Sequence, residues 1–354
     1  MSRRGNIRYL FASGNTSEGY QSYLPRLLEG LERVYILKGA PGSGRSTFIR
    51  QAGLDISKLG YDAEFYVSPL NGTSLEGVVF PQLGMAVVDG SEPGSLEPRY
   101  PGVTGELINL GDCWDKDEMQ AHKEEIKSLI DTVTQAREEA VERLRETRMA
   151  KERLKRCWLS SLNLARLEVL VQELTREVIE RQAGERHYYG SNLTSQGMVN
   201  YVDEISLDCR KRYILTGPPG SGKSTVLAAI GERAREKGYR VEYYHSGLNP
   251  DSLDMVIIAD LQVALIDNGN LNLSSRLSDI IINMEEYLDA PPDVEGSLEI
   301  NEARRRLEGA LLQAVEVFKE VESCRKRLQR FYTRAMDFNE VDRTRARVIE
   351  EIRG

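Results

Sequence analysis

The chain has 354 residues, a net charge of -8 and 40% hydrophobic residues, long enough for two ordinary domains that each bury a core. The acidic balance gives no global field for nucleic acid, and no apolar run reaches the length of a membrane span, so neither partner is expected. Cys113, Cys157, Cys209 and Cys324 have neither metal-ligand nor disulfide-framework spacing, which suits a soluble protein of the reducing cytoplasm.

An apolar segment at 7–12 reads as a first strand, and Thr16-Ser17-Glu18-Gly19 after it as the cap of a helix starting near Glu18. Tyr35-Ile36-Leu37 is a short buried strand. It runs into Gly39-Ala40-Pro41-Gly42-Ser43-Gly44-Arg45-Ser46-Thr47, a phosphate-binding loop with arginine where lysine is usual. A helix follows, then strands at 62–67 and 78–80, and an apolar strand that ends in Asp89. From 117 to 183 there is no glycine or proline, and apolar residues recur at Ile126, Ile130, Val133, Ala140, Leu144, Leu154 and Trp158, near a helical period. Arg137 and Lys151 interrupt that stripe, which argues against a long free coiled coil. Asn163 breaks the stretch as an N-cap, so it reads as a helix–turn–helix arm.

The chain then repeats itself. At a shift of 178 residues Thr16-Ser17 falls on Thr194-Ser195, Tyr35-Ile36-Leu37 on Tyr213-Ile214-Leu215 and Asp89 on Asp267. After roughly four extra residues inside the Pro/Gly-rich run 90–105 the register resumes at 174, where Ile108-Asn109 meets Ile282-Asn283 and Trp158 meets Tyr332. The second loop is Gly217-Pro218-Pro219-Gly220-Ser221-Gly222-Lys223-Ser224-Thr225 and keeps the lysine. A helix at 225–237 closes at Gly238, strands follow at 240–245 and 255–259, an apolar strand ends in Asp267, and a second arm covers 299–352 with its break at Asp337. The expected fold is α/β: two tandem P-loop domains, 1–184 and 185–354, each a three-layer α/β/α sandwich on a mostly parallel sheet with a C-terminal helical arm (117–183 and 299–352).

The chemistry follows from the spacing. Glycines let backbone N–H groups converge on a phosphate at a helix N-terminus. Lys223 then bridges the β- and γ-phosphates, Ser224 and Asp267 hold Mg²⁺, and Thr225 supports the α-phosphate side; Ser46, Thr47 and Asp89 are their counterparts in the first repeat. No glutamate follows either aspartate, so a water-activating base has to come from elsewhere. Asp254 and Asp260 are candidates, with Glu76 and Gln82 as their counterparts, and both read more simply as solvated charges at a strand end. Ser68 and Ser246 fall beside the ligand end of the sheet. Arg45 keeps the charge in a bulkier, forked form, so the first loop either handles nucleotide poorly, takes some other anion, or tolerates the change.

The Thr-x-x-Gly before the strand, the Tyr-Ile-Leu-x-Gly entry to each loop and Asp89-Gly90-Ser91 resemble an uncharacterised family of tandem P-loop ATPases found in Firmicutes, over nearly the whole chain. The resemblance implies ATP binding and a duplicated P-loop fold. The expected function is therefore an ATPase or ATP-operated switch using ATP and Mg²⁺ mainly in the second repeat, with the arms as a lid or a protein-binding surface. A nucleoside or small-molecule kinase, with an acceptor pocket built from arm arginines such as Arg143, Arg145, Arg148 and Arg153, and a non-catalytic nucleotide-binding scaffold remain as alternatives.

Overall fold

A computed structural model describes residues 4–159, 161–178, 184–269, 271, 273–289 and 294–353. The first repeat runs β1 (Ile7–Leu10), β2 (Ser13–Thr16), β3 (Gly19–Ser22), α1 (Leu24–Leu27), β4 (Arg33–Lys38), α2 (Arg45–Lys58), β5 (Ala63–Val67), β6 (Leu75–Phe80), β7 (Met85–Asp89), β8 (Gly105–Asn109), α3 (Lys116–Ala121), α4 (Lys123–Leu159) and α5 (Leu164–Val178). The second runs β9 (Gly184–Thr194), β10 (Gly197–Asn200), α6 (Val202–Ile205), β11 (Lys211–Thr216), α7 (Lys223–Glu236), β12 (Arg240–Ser246), β13 (Leu253–Ile258), β14 (Val263–Asp267), β15 (Asp279–Asn283), α8 (Val294–Ala335) and α9 (Phe338–Arg353). The stretch 179–183, which the sequence assigns to the end of the first arm, lies outside the described residues.

Each repeat builds a mixed sheet, in the orders β1-β5-β6-β7-β4-β8 and β10-β9-β12-β13-β14-β11-β15. β6 and β13 run antiparallel to both neighbours. The cause is local: only a short loop joins β5 to β6 and β12 to β13, whereas a parallel return needs a crossover of a dozen or more residues. Thr16-Ser17-Glu18-Gly19 does not cap a helix. Thr16 Oγ1 accepts the Glu18 N–H at 3.0 Å and donates to the Gly19 carbonyl at 2.9 Å, closing the β2–β3 hairpin, and Thr194 does the same on Gln196 and Gly197.

The expected three-layer sandwich is also revised. Among the described residues, long helices cover only the outer face of each sheet. Phe48, Ile49, Ala52 and Ile56 of α2 pack there in the first repeat, and Val226, Leu227, Ile230 and Ala234 of α7 in the second. The inner faces share one core, in which Leu10 and Tyr66 of the first repeat join Tyr188 and Tyr244 of the second, with the short α1 and α6 and the loop residues Leu96 and Leu271 beside them. At its edge Arg8 bridges Glu64 (3.1 Å) and Glu242 (2.8 Å), while Arg186 returns to Glu64 (3.1 Å). Arg8 and Arg186, and Glu64 and Glu242, are repeat counterparts, so the contact is self-complementary like that of a two-fold dimer.

The arms complete this symmetry by exchange. α4 and α8 pack antiparallel: Ile126 and Leu129 meet Leu328 and Tyr332 at one end, Leu154 meets Ile300 and Leu307 at the other, and Ala140 and Ala314 share the middle. Each helix delivers its successor to the opposite core. Leu167, Leu170, Val171 and Leu174 of α5 are buried against the second repeat, and Val341, Val348, Ile349 and Ile352 of α9 against the first. A buried aliphatic side chain stabilises by about 1.5–3 kcal/mol and an exposed ion pair by about 1 or less, so these apolar faces, not the charge-rich arm surfaces, fix the exchange. Asn163 and Asp337 cap α5 and α9 as expected, accepting N–H groups of Arg166 (3.0 Å) and Asn339 (2.9 Å). Among the described residues no helix is long and apolar enough to cross a membrane.

Candidate functional site

Each glycine-rich loop joins a central strand to the N-terminus of a helix on the outer face: β4 to α2, and β11 to α7. Gly42, Gly44, Gly217, Gly220 and Gly222 have positive φ, a backbone that other residues adopt only under strain. Close approach adds a second constraint. A Cβ on Gly220 would lie 2.5 Å from the Lys155 carbonyl oxygen, and one on Gly42 2.6 Å from that of Gln329. Lys155 and Gln329 are repeat counterparts, so each loop is roofed at the same point by the long arm helix of the other repeat.

In the second repeat Lys223 opens α7 and is buried. Its ammonium donates to the Gly217 and Pro218 carbonyls, both at 2.8 Å, and lies 3.7 Å from Asp267 Oδ1. Burial lowers the lysine's pKa against the pull of Asp267, and burial raises that of Asp267 against the pull of Lys223. Asp267 Oδ1 also accepts the Gly269 N–H at 2.7 Å. Ser224 Oγ accepts the Leu253 N–H at 2.9 Å, tying the loop helix to β13. A cavity of about 410 Å³ opens over these groups, lined by Pro219, Gly220, Gly222, Lys223, Ser224, Thr225 and Asp267. Gly217, Pro218 and Ser221 shape the loop beneath it.

Asp254 lines the same cavity and is not the solvated strand end expected of it. It accepts the Ser191 hydroxyl at 2.5 Å, and enclosure raises its pKa to about 6 against the partial relief given by Lys151. Its counterpart Glu76 lines the other cavity, accepts hydroxyls of Ser13 and Tyr20, and is pushed up to about 7 by burial. Ser246 and Ser68 sit against these two carboxyls, as their position beside the sheet end predicted. Asp260 does behave as a solvated end, paired with Arg240 at 2.7 Å.

The first loop repeats this backbone with different chemistry. Arg45 reaches past the loop and clamps both oxygens of Asp89, one at 2.5 Å. Lys223 instead folds back onto its own loop, with Ser221 Oγ at 3.5 Å, and so the counterpart Ser43 Oγ is left buried without a partner. Ser46 Oγ accepts the Leu75 N–H at 2.9 Å. A cavity of about 460 Å³ is lined by Gly42, Gly44, Arg45, Ser46, Thr47 and Asp89, while Gly39 and Ser43 stay behind the loop.

The tertiary structure adds residues that the sequence did not assign to a site. Lys151 of α4 faces the second cavity, and Arg325 of α8, its repeat counterpart, faces the first. Both come from the opposite repeat. Arg137 of α4 also lines the first cavity. The signal was present, since Arg137 and Lys151 are the charges that interrupt the apolar stripe. Arg143, Arg145, Arg148 and Arg153 line neither loop cavity; they pair with Glu146, Glu142, Glu18 and Glu299. No protein-family model, curated protein or solved structure matches the chain.

Proposed function

We propose that the chain is a P-loop nucleotide-binding protein whose second repeat binds ATP with Mg²⁺ and hydrolyses it. The observation that carries this reading is the convergence of Lys223, Ser224, Asp267 and Asp254 with Lys151 of the opposite repeat in one cavity at a helix N-terminus. Among the described residues Asp267 Oδ2 makes no hydrogen bond, and Ser224 Oγ keeps a lone pair after accepting its one N–H, so the pair fits a magnesium ion that retains several waters. Bound Mg²⁺ supplies charge neutralisation on the phosphates.

This chain's own groups supply the rest. The first-turn N–H groups of α7 and Lys223 hold the phosphates. Asp254, ionised above pH 6 or so, accepts a proton from the attacking water, the role left open because no glutamate follows Asp267. Lys151 places a cation against the charge that develops on the transferred phosphoryl group. Because Lys151 sits on an arm that also packs on α8, occupancy of the cavity is felt by the arm pair, which supports the switch reading. The kinase reading weakens because the arm arginines expected to form an acceptor pocket are paired on the surface.

ATP turnover measured with and without a panel of nucleosides tests the reading. Mg²⁺-dependent release of phosphate to water, cut about 10²–10³-fold in Lys223→Ala and unaffected by nucleosides, is the expected result. Unchanged turnover in Lys223→Ala together with its loss in Arg45→Ala would overturn the assignment of the working repeat.

A further inference from the structure

The first cavity does not fit a magnesium site. Both carboxylate oxygens of Asp89 are held by the Arg45 guanidinium, so the counterpart of the second repeat's metal ligand is already occupied. It does not follow that the cavity is inert. Two further guanidiniums enter it, Arg137 from α4 and Arg325 from α8, and neither makes a hydrogen bond or ion pair with a described residue. Arg325 is half-buried, and desolvation together with the like charges of Arg137 and Arg45 pulls its pKa down to about 10. Three guanidiniums gathered in one half-buried cavity repel one another, and an anion that joins them relieves the repulsion. The acidic groups facing Arg325 do not cancel its charge: Asp89 is clamped, Glu76 is raised to about 7, and Glu92 and Glu138 are exposed at the rim. The repeat counterparts of Arg137 and Arg325 are Leu311 and Lys151, so the guanidinium pair belongs to the first repeat alone.

The rest of the wall has an organic face. Leu70, Leu144, Phe318 and Val321 line the same cavity. We propose that the first repeat is a nucleotide polyphosphate site that works without a divalent cation: the phosphates lie on the N-terminus of α2 between Arg137 and Arg325, and the nucleoside packs on the apolar wall. Guanidiniums present a fixed fork of donors to phosphate oxygens, and here they take the place that the metal holds in the second repeat. Arg325 is supplied by the opposite repeat, so occupancy also braces α8 against the first core. The inference rests on the nucleotide-binding reading of the loops, and the test separates the two.

Isothermal titration with ADP, in excess EDTA and then in Mg²⁺, is the experiment. The expected result is one ADP per chain in EDTA, retained in Lys223→Ala and weakened at least tenfold by Arg325→Gln and by Arg137→Gln, with a second ADP appearing in Mg²⁺. Pyrophosphate should compete at the EDTA-resistant site but bind more weakly, because it cannot use the apolar wall. Thermal melting of the same variants guards against a purely structural role: removing one of three mutually repelling guanidiniums should leave the melting temperature of Arg325→Gln unchanged or raised. ADP binding only in Mg²⁺ and lost in Lys223→Ala would overturn this proposal and leave the proposed function standing. EDTA-resistant binding that Arg325→Gln and Arg137→Gln do not weaken would overturn it as well. Absence of ADP binding in both conditions would sink both readings.

Discussion

The cavity over Lys223 and the cavity over Arg45 share a backbone, a roof and a carboxyl at the strand that follows, yet their cations do opposite things. Lys223 is folded onto its loop carbonyls and keeps 3.7 Å from Asp267, so the aspartate stays available. Arg45 is longer and forked, and it closes on Asp89. The longer side chain at the first helical residue thus occupies the aspartate, and two arm arginines add further positive charge to that cavity. Duplicated sites diverge here through the reach of a side chain, with the fold unchanged.

The comparison can be broken most directly at the lysine. Lys223→Ala should cut ATP turnover by about 10²–10³-fold, the size of loss seen when one preorganised charge donor leaves an active site, while Arg45→Ala should leave turnover near the wild-type value in a phosphate-release assay. Asp254→Asn should cost about 10²-fold or more. In the wild type kcat/KM should rise with pH through about 6, because the base must be ionised; a profile flat from pH 5 to 8 would remove Asp254 from the mechanism. Lys151→Ala should lower kcat by about tenfold or more, whereas Arg325→Ala, at the equivalent position, should leave it unchanged. Equal effects of the two would mean that the sites do not divide the work.

The smallest effect is on stability. The Glu76 carboxyl has a pKa of about 7 in the fold against an ordinary 4.5, so the folded chain holds this proton more tightly than the unfolded one. Its contribution is fully present below pH 4.5 and is lost as pH rises through 7. Glu76→Gln should therefore be more stable than the wild type at pH 8, by on the order of 1–3 kcal/mol, with the gain vanishing towards pH 4.5 in denaturant melts. A loss of stability at pH 8 would show that the ionised carboxylate is satisfied after all.

Much of this was legible in the residues. The loops, the strands feeding them, the aspartates at the ends of β7 and β14 and the N-caps Asn163 and Asp337 all carry short-range signals, because glycine conformational freedom, apolar runs and side-chain capping act over a few residues. The hairpins β2–β3 and β9–β10 were not, since a Thr-Ser-x-Gly turn and a helix N-cap use the same hydroxyl-to-backbone hydrogen bond. Asp254 was misjudged because a carboxyl at a strand end is solvated unless another layer covers it, and the covering layer is remote in sequence.

By itself the sequence determined that there are two homologous halves, where each loop lies, and that the arms have an apolar stripe with Arg137 and Lys151 set into it. It could not determine which half each arm serves. Repeat-related surfaces offer an arm the same apolar partners in either half, so the pattern of residues is indifferent to the choice. Geometry decides it: α4 is an uninterrupted helix of 37 residues, about 55 Å long at 1.5 Å per residue, and it carries α5 off its own core onto the opposite one. That exchange places Lys151 and Arg325 over each other's loops, and so only the tertiary structure makes each site a product of both repeats.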